Sequence, residues 1–283
     1  MNVIPELGRY HVPHHTLPTP EPGVFTYRLE VDGGPSLYAY AHLHPASVLR
    51  VHLHGAIRPA DTYPRFDRIT TAGATGDAFV SFADPIHSLD REVLLGWFLG
   101  GNGWDPNDAL ARFVSDAAQA CGADTVALIG GSGGGFAALR LGLALPRALV
   151  YCFNPQIVLP NYSAQVVGKY VETGFGTDRV PAEVMADDPA RFDMSLAYAQ
   201  AERLPTVYYV QNLSDIGHVG RHYVPFKRAL GLRHDVAGVS PDGRVRLELV
   251  DMEHDGHHAP TVTEFRAQLD AALAWSAAVR SAG

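Results

Sequence analysis

Thr125–Leu145 reads TVALIGGSGGGFAALRLGLAL. A short apolar run rich in β-formers leads into a serine set among glycines, and small and apolar residues with helical spacing follow. Gly130, Ser132 and Gly134 spell G-x-S-x-G, which between a strand and a helix is the pattern of a nucleophile elbow. The turn is so tight that a side chain two residues from the serine would strike the strand or the helix, and glycine removes the collision. The turn also sets the Ser132 hydroxyl at a helix N-terminus, where partial positive charge favours a developing oxyanion. Two other glycine-rich turns compete with this reading. A phosphate-binding P-loop needs a lysine after its last glycine, and none follows here. A dinucleotide fingerprint is partly matched by Gly133, Gly135 and Ala138. It also needs an acid about 20 positions on, whereas the next strand, Ala148–Phe153, runs into Asn154 and Pro155.

Outward from the elbow, β-rich runs come first: Val24–Val31, Ser36–Leu43, Val48–His54 and Ala78–Ala83. Gly33-Gly34 between the first two suggests a hairpin. The patterns at Leu89–Leu99 and Asn107–Ala120 predict helices, the second capped by Asp105 with Pro106 at its start. Strands at Val126–Ile129, Ala148–Phe153, Thr206–Gln211 and Val245–Val250 then alternate with helices at Gly133–Leu145 and Thr261–Val279. Val262, Phe265, Leu269, Ala272, Leu273 and Trp275 form the apolar side of the last helix. Early strands followed by βα alternation predict an α/β fold, a mostly parallel sheet flanked by helices. Residues 154–204 lack a strong strand and read as an inserted lid. Residues 1–23, with five prolines, three histidines and no periodicity, read as an extended arm, which leaves 24–283 as one domain.

An elbow on such a sheet resembles the α/β-hydrolase fold, in which an acid and then a histidine follow the serine in chain order. The histidine activates the serine and the acid orients the histidine. The strand Thr206–Gln211 runs into Asn212-Leu213-Ser214-Asp215, so Asp215 is the candidate acid, with Asp84 as the substitute. Val245–Val250 is followed by a loop with three histidines. His257 is the candidate base because Gly256 before it lets the chain turn, and His254 and His258 remain alternatives. An oxyanion hole needs two backbone amides. Gly133, after the nucleophile, is one; Ala56, after His54-Gly55 at the end of the third strand, is the other.

His52-Leu53-His54 also has a metal-ligand spacing, since alternate strand residues share a face. Ala56 stands where H-x-H-x-D would need its aspartate, H-E-x-x-H is absent, and a metal barrel would leave the elbow unexplained. His218 and His222, four apart, read as a helix face. No metal or organic cofactor is expected.

The chain has 283 residues, is 47% hydrophobic and 18% charged, and carries a net charge of −8. That acidity argues against nucleic acid or an anionic membrane as the main partner. No apolar run reaches the roughly 18 residues of a membrane span. MNVIPELGRYHVPHH lacks the basic start and apolar run of a signal peptide, and the two cysteines, Cys121 and Cys152, read as reduced and packed. A cytoplasmic protein is the expectation.

GGSGGG, QNLSD and DGHH in this order, with the HG loop, resemble the α/β-hydrolase superfamily over residues 24–280. LGWFLG (95–100), GGSGGGFAAL (130–139), FNPQ (153–156), YYVQNLSD (208–215) and GRHYVPF (220–226) are similar to a bacterial group of hydrolase-like proteins associated with surface-polysaccharide and glycoconjugate loci. They are also similar to accessory Sec proteins that acetylate sugars on adhesins. The resemblance implies a serine hydrolase acting through an acyl-enzyme on a small-molecule or glycan acyl ester. The alternatives are an acyltransferase moving an O-acetyl group to or from a sugar, and a catalytically silent binding protein on the same fold. The acyl group, the alcohol and the oligomeric state have no sequence signature.

Overall fold

In a computed structural model the described residues are 14–15, 19–69, 76–232 and 238–282. Ten strands form one sheet: β1 (His14–His15), β2 (Gly23–Leu29), β3 (Leu37–Leu43), β4 (Val48–Leu53), β5 (Ala78–Ala83), β6 (Thr125–Gly131), β7 (Leu149–Phe153), β8 (Thr206–Asn212), β9 (Gly238–Val239) and β10 (Val245–Val250). Their order across the sheet is β1-β2-β3-β5-β4-β6-β7-β8-β10-β9. β2 and β3 form the expected antiparallel hairpin, and β3 also pairs antiparallel with β5. From β5 to β10 every neighbouring pair is parallel. Of the N-terminal stretch 1–23, residues 1–13 and 16–18 lie outside the described residues. His14–His15 pairs in parallel with Thr26–Tyr27 at the sheet edge.

The helices are α1 (Asn107–Cys121), α2 (Gly133–Ala144), α3 (Ala164–Phe175), α4 (Pro181–Asp187), α5 (Pro189–Phe192), α6 (Met194–Gln200), α7 (Ile216–His218), α8 (Val224–Ala229) and α9 (Val262–Ala282). They cover both faces of the sheet, and the strand residues divide accordingly. Leu128, Val150, Cys152, Val207 and Tyr209 join one core with Phe113 of α1 and Leu139 of α2. Their alternates Ala127, Ile129, Leu149, Tyr151, Phe153, Tyr208 and Val210 join a second core with Phe265, Leu269 and Ala272 of α9. This is the period of two of a strand, read on both sides. It explains why β5, β7 and β8, buried along their whole lengths, appear in the sequence as mainly apolar runs without alternation.

Residues 154–204 carry α3 to α6 between β7 and β8. Tyr170 and Tyr198 tie this helical stretch to the body through hydroxyl hydrogen bonds to the Gly100 and Leu139 carbonyls, each 3.0 Å. One predicted element is overturned. Leu89–Leu99 is a succession of turns rather than a helix. Leu95–Leu99 are five consecutive buried residues, a run that a one-sided helical stripe does not produce, while Leu89 at the other end is exposed. Trp97 and Phe98 both hold positive φ, 55° and 53°, which a right-handed helix forbids. Among the described residues no helix is long and apolar enough to cross a membrane.

β4 pairs with β5 on one side and β6 on the other. The connections therefore diverge at the carboxyl ends of β4 and β6 and open a crevice there, where open α/β sheets bind ligands.

Candidate active site

Ser132 stands in that crevice, between β6 and α2, with φ 53° and ψ −122°. This conformation is costly for a side-chain-bearing residue, and strain of this kind gathers at functional sites. The surroundings enforce it. A Cβ on Gly130 would lie 2.1 Å from the Gly134 carbonyl oxygen, and one on Gly134 would lie 2.1 Å from that of Leu53. Both glycines of the motif are therefore demanded by backbone contacts that no side chain could relieve. The Ser132 carbonyl accepts from the amides of Gly135, Phe136 and Gln156 at 3.1–3.2 Å, and its own amide donates to Phe153.

His257 Nε2 lies 3.0 Å from Ser132 Oγ, and His257 Nδ1 lies 2.7 Å from Asp215 Oδ2. A carboxylate only accepts, so Nδ1 carries the proton and Nε2 is left to accept from the serine. Asp215 follows β8 and caps α7, accepting from the His218 amide at 3.2 Å. Burial opposes its ionisation. The His257 hydrogen bond, with help from His218, outweighs burial and holds the carboxyl below its usual range.

The loop that carries His257 is pinned from below. Asn212 Nδ2 donates to the carbonyls of His254 and Gly256 at 2.8 and 3.0 Å. Asn154 Nδ2 donates to the His258 carbonyl at 2.8 Å, and Ser214 Oγ accepts from the Gly256 amide at 2.9 Å. Gly256 turns the chain with φ +78°, a conformation that glycine adopts without penalty. His254 and His258 are thus held by their backbones. Their rings contact each other, at 6.0 Å between centroids, and His257 is the one of the three that meets Ser132.

Two neighbours of this line are not assigned to the site by the sequence, which reads His218 only as part of a helix face. His218 stacks on His257, with centroids 3.9 Å apart and planes at 14°, and its Nδ1 lies 3.2 Å from Asp215. Asp215 therefore receives two imidazole N–H groups. Burial, and next the neighbouring His257, push the His218 pKa down to about 4, so this ring is neutral. The signal in the sequence was its place three residues after a helix-capping aspartate. The second is Gln156, whose Nε2 donates to Ser132 Oγ at 3.0 Å and whose Oε1 accepts from the Trp97 indole N–H. It sits in the FNPQ segment, and nothing in its spacing marks it.

Asp215, His218 and His257 are also close enough together to suggest a metal site. A ligated ion lies in the plane of each imidazole. Two stacked, nearly parallel rings offer no such common point. His52 and His54 diverge. His52 packs on Phe79 and Phe265, while His54, one residue past the end of β4, turns to the Asp84 amide, which donates to its Nε2 at 2.9 Å. Asp84 is spent on backbone: Oδ1 accepts from the Ile86 amide and Oδ2 from the Phe98 amide. Burial raises its pKa.

Gly55 brings the turn after β4 against the elbow. Its Cβ would fall 3.7 Å from Ser132 Cβ and 3.9 Å from the Gly133 nitrogen. Ala56 lies next on this turn, and Gly133 is the first residue of α2, whose first amides have no partners within the helix. A cleft of about 300 Å³ opens on Ser132 and His257. Ala56, Arg68, Phe153 and His258 are among its walls.

No family model and no curated protein matches the sequence. Solved structures do match in fold. The capsule O-acetyltransferase of Neisseria meningitidis serogroup A is similar with a TM-score of 0.60 at 17% identity, covering 86% of this chain and 92% of that one. An S-formylglutathione hydrolase from Agrobacterium tumefaciens is similar with a TM-score of 0.54 at 18% identity, over 90% and 93%. A proline iminopeptidase-related protein from Thermus thermophilus is similar with a TM-score of 0.51 at 15% identity, over 90% and 99%. Sheet order, elbow and neighbours agree: the chain has the fold of the α/β-hydrolase superfamily.

Proposed function

We propose that the protein is a serine enzyme of acyl transfer that cleaves an acyl ester through an acyl-enzyme. The observation that carries this reading is the unbroken hydrogen-bonded line from Asp215 through His257 to Ser132. Ser132 Oγ attacks the ester carbonyl as His257 Nε2 takes its proton. The amides of Gly133 and Ala56 receive the oxyanion. The tetrahedral intermediate collapses, the C–O bond to the alcohol breaks, and His257 returns the proton to the departing oxygen. Water, deprotonated by the same imidazole, then releases the acid and restores Ser132. Asp215 keeps the proton on Nδ1 and stabilises the imidazolium. Residues 154–204 are the lid that shapes access.

A second reading is supported by the Neisseria neighbour, a capsule O-acetyltransferase that has also been solved in complex with CoA. In that reading a sugar hydroxyl replaces water as acceptor, and the donor is an acyl thioester. Ser132 chemistry is common to both. A fluorophosphonate probe should label the wild-type protein and leave Ser132→Ala unlabelled. Turnover of p-nitrophenyl acetate should fall by several orders of magnitude in that variant, with an unchanged thermal melt. Activity within tenfold of wild type would overturn the nucleophile. Product analysis with and without a sugar acceptor separates hydrolysis from transfer.

A further inference from the structure

We infer that Gln156 is a catalytic residue of this site: its amide N–H directs the Ser132 proton to His257 and stabilises the charge that develops on Ser132 Oγ. The inference rests on the serine reading above. It starts from an orientation that chemistry fixes. An indole nitrogen only donates, so the Gln156 oxygen must face Trp97 and the NH₂ group must face the serine. Trp97 is itself immobilised. It is buried, held at positive φ, and packed edge-on against Tyr170 at 5.3 Å. Gln156 has no exposed surface.

The consequence for Ser132 follows from counting protons. Its hydroxyl has one hydrogen and faces two nitrogens at 3.0 Å, Gln156 Nε2 and His257 Nε2. The first brings a hydrogen and the second a lone pair. The serine proton must therefore point at His257, the direction in which it leaves. As it leaves, charge builds on Oγ with a buried donor already aimed at it, and little reorganisation is needed. The same contact serves the second half of the reaction, when Oγ is the leaving group from the acyl-enzyme. This donor is distinct from an oxyanion hole, because it addresses the nucleophile's oxygen rather than the carbonyl oxygen.

The test compares Gln156→Ala and Gln156→Glu with wild type. Its readouts are the fluorophosphonate labelling rate and p-nitrophenyl acetate turnover from pH 5 to 9. Gln156→Ala should slow both by about 10²-fold, the scale for losing one preorganised donor. Because it also strands the Trp97 N–H, Gln156→Glu is the sharper probe. It keeps the volume and the acceptor for Trp97 but turns an anionic acceptor on Oγ, which draws the serine proton away from His257. Its rate relative to wild type should be lowest at pH 9 and rise as acid protonates the carboxylate and restores a donor. A merely structural glutamine predicts a Gln156→Glu profile parallel to wild type and near it in rate, and that result would overturn the inference while leaving Ser132 as nucleophile. Failure of the wild-type protein to label would instead remove the serine reading and the inference with it.

Discussion

Two aspartate–histidine pairs stand at the carboxyl ends of the sheet, one on each side of Ser132. His54 and Asp84 follow β4 and β5; Asp215 and His257 follow β8 and β10. The residue types and the place in the topology are alike, yet the chemistry is opposite. Between His54 and Asp84 the bond runs from the aspartate's backbone amide to the ring, and both carboxylate oxygens are used up by amides of the 84–98 turns. That pair is full, buried and structural. Between Asp215 and His257 the carboxylate itself holds the ring, and the far nitrogen faces the serine. What distinguishes the pairs is which atoms the local backbone has already consumed.

The largest expected effect falls on the Asp215–His257 pair. His257→Ala should lower kcat/KM for p-nitrophenyl acetate by at least about 10⁴-fold, whereas His254→Ala and His258→Ala retain measurable turnover. Equal losses in all three variants would place the base elsewhere. Asp215→Asn should cost on the order of 10⁴-fold, because an amide can present N–H to Nδ1 and favour the wrong tautomer.

Asp84→Asn should stay within tenfold of wild type in turnover. It sets an N–H donor against a buried amide, a cost of about 1–3 kcal/mol, so its Tm should fall by roughly 2–10 °C. A normal melt with lost activity would reverse the roles of the two pairs.

His218→Ala removes an N–H from a carboxylate and the stacked face of His257. A hydrogen bond to a charged group is worth about 1.5–3 kcal/mol, so a fall in kcat/KM of roughly ten- to a hundredfold is expected, with KM little changed. Undiminished turnover would confine His218 to packing.

The last prediction concerns stability rather than turnover. Burial pushes His52, His87 and His222 down to about 3 and His218 to about 4, against an unfolded value near 6.5. Between those limits the unfolded chain binds more protons than the folded one. Stability is therefore fully present above about pH 6.5 and is lost as the pH falls toward 4 and 3. Thermal melts from pH 8 to 4 should show this decline. A flat profile would show that these rings are solvated.

Local chemistry made several features legible in the sequence. G-x-S-x-G marks the elbow because Gly130 and Gly134 are each within a Cβ's reach of a backbone oxygen. Strand runs are readable because burial on both faces favours apolar residues at most positions. Chain order then brings Asp215 and the loop 254–258 to the carboxyl edge of the sheet. Leu89–Leu99 misled because its burial runs consecutively through Leu95–Leu99 instead of along one face, and positive φ at Trp97 and Phe98 has no signal in those two residue types.

By itself, then, the sequence determined the sheet, the elbow and a short set of polar candidates at one edge, since each depends on residues near one another in the chain. Only the tertiary structure decided which histidine meets Ser132, through side-chain anchors from Asn154, Asn212 and Ser214 to a loop some 40 to 100 residues away. It alone brought His218 against His257 and set Gln156 between Trp97 and Ser132, joining residues 59 apart on one side and 24 on the other. Contacts at such separations are set by how strands and helices pack, and a linear pattern does not encode that packing.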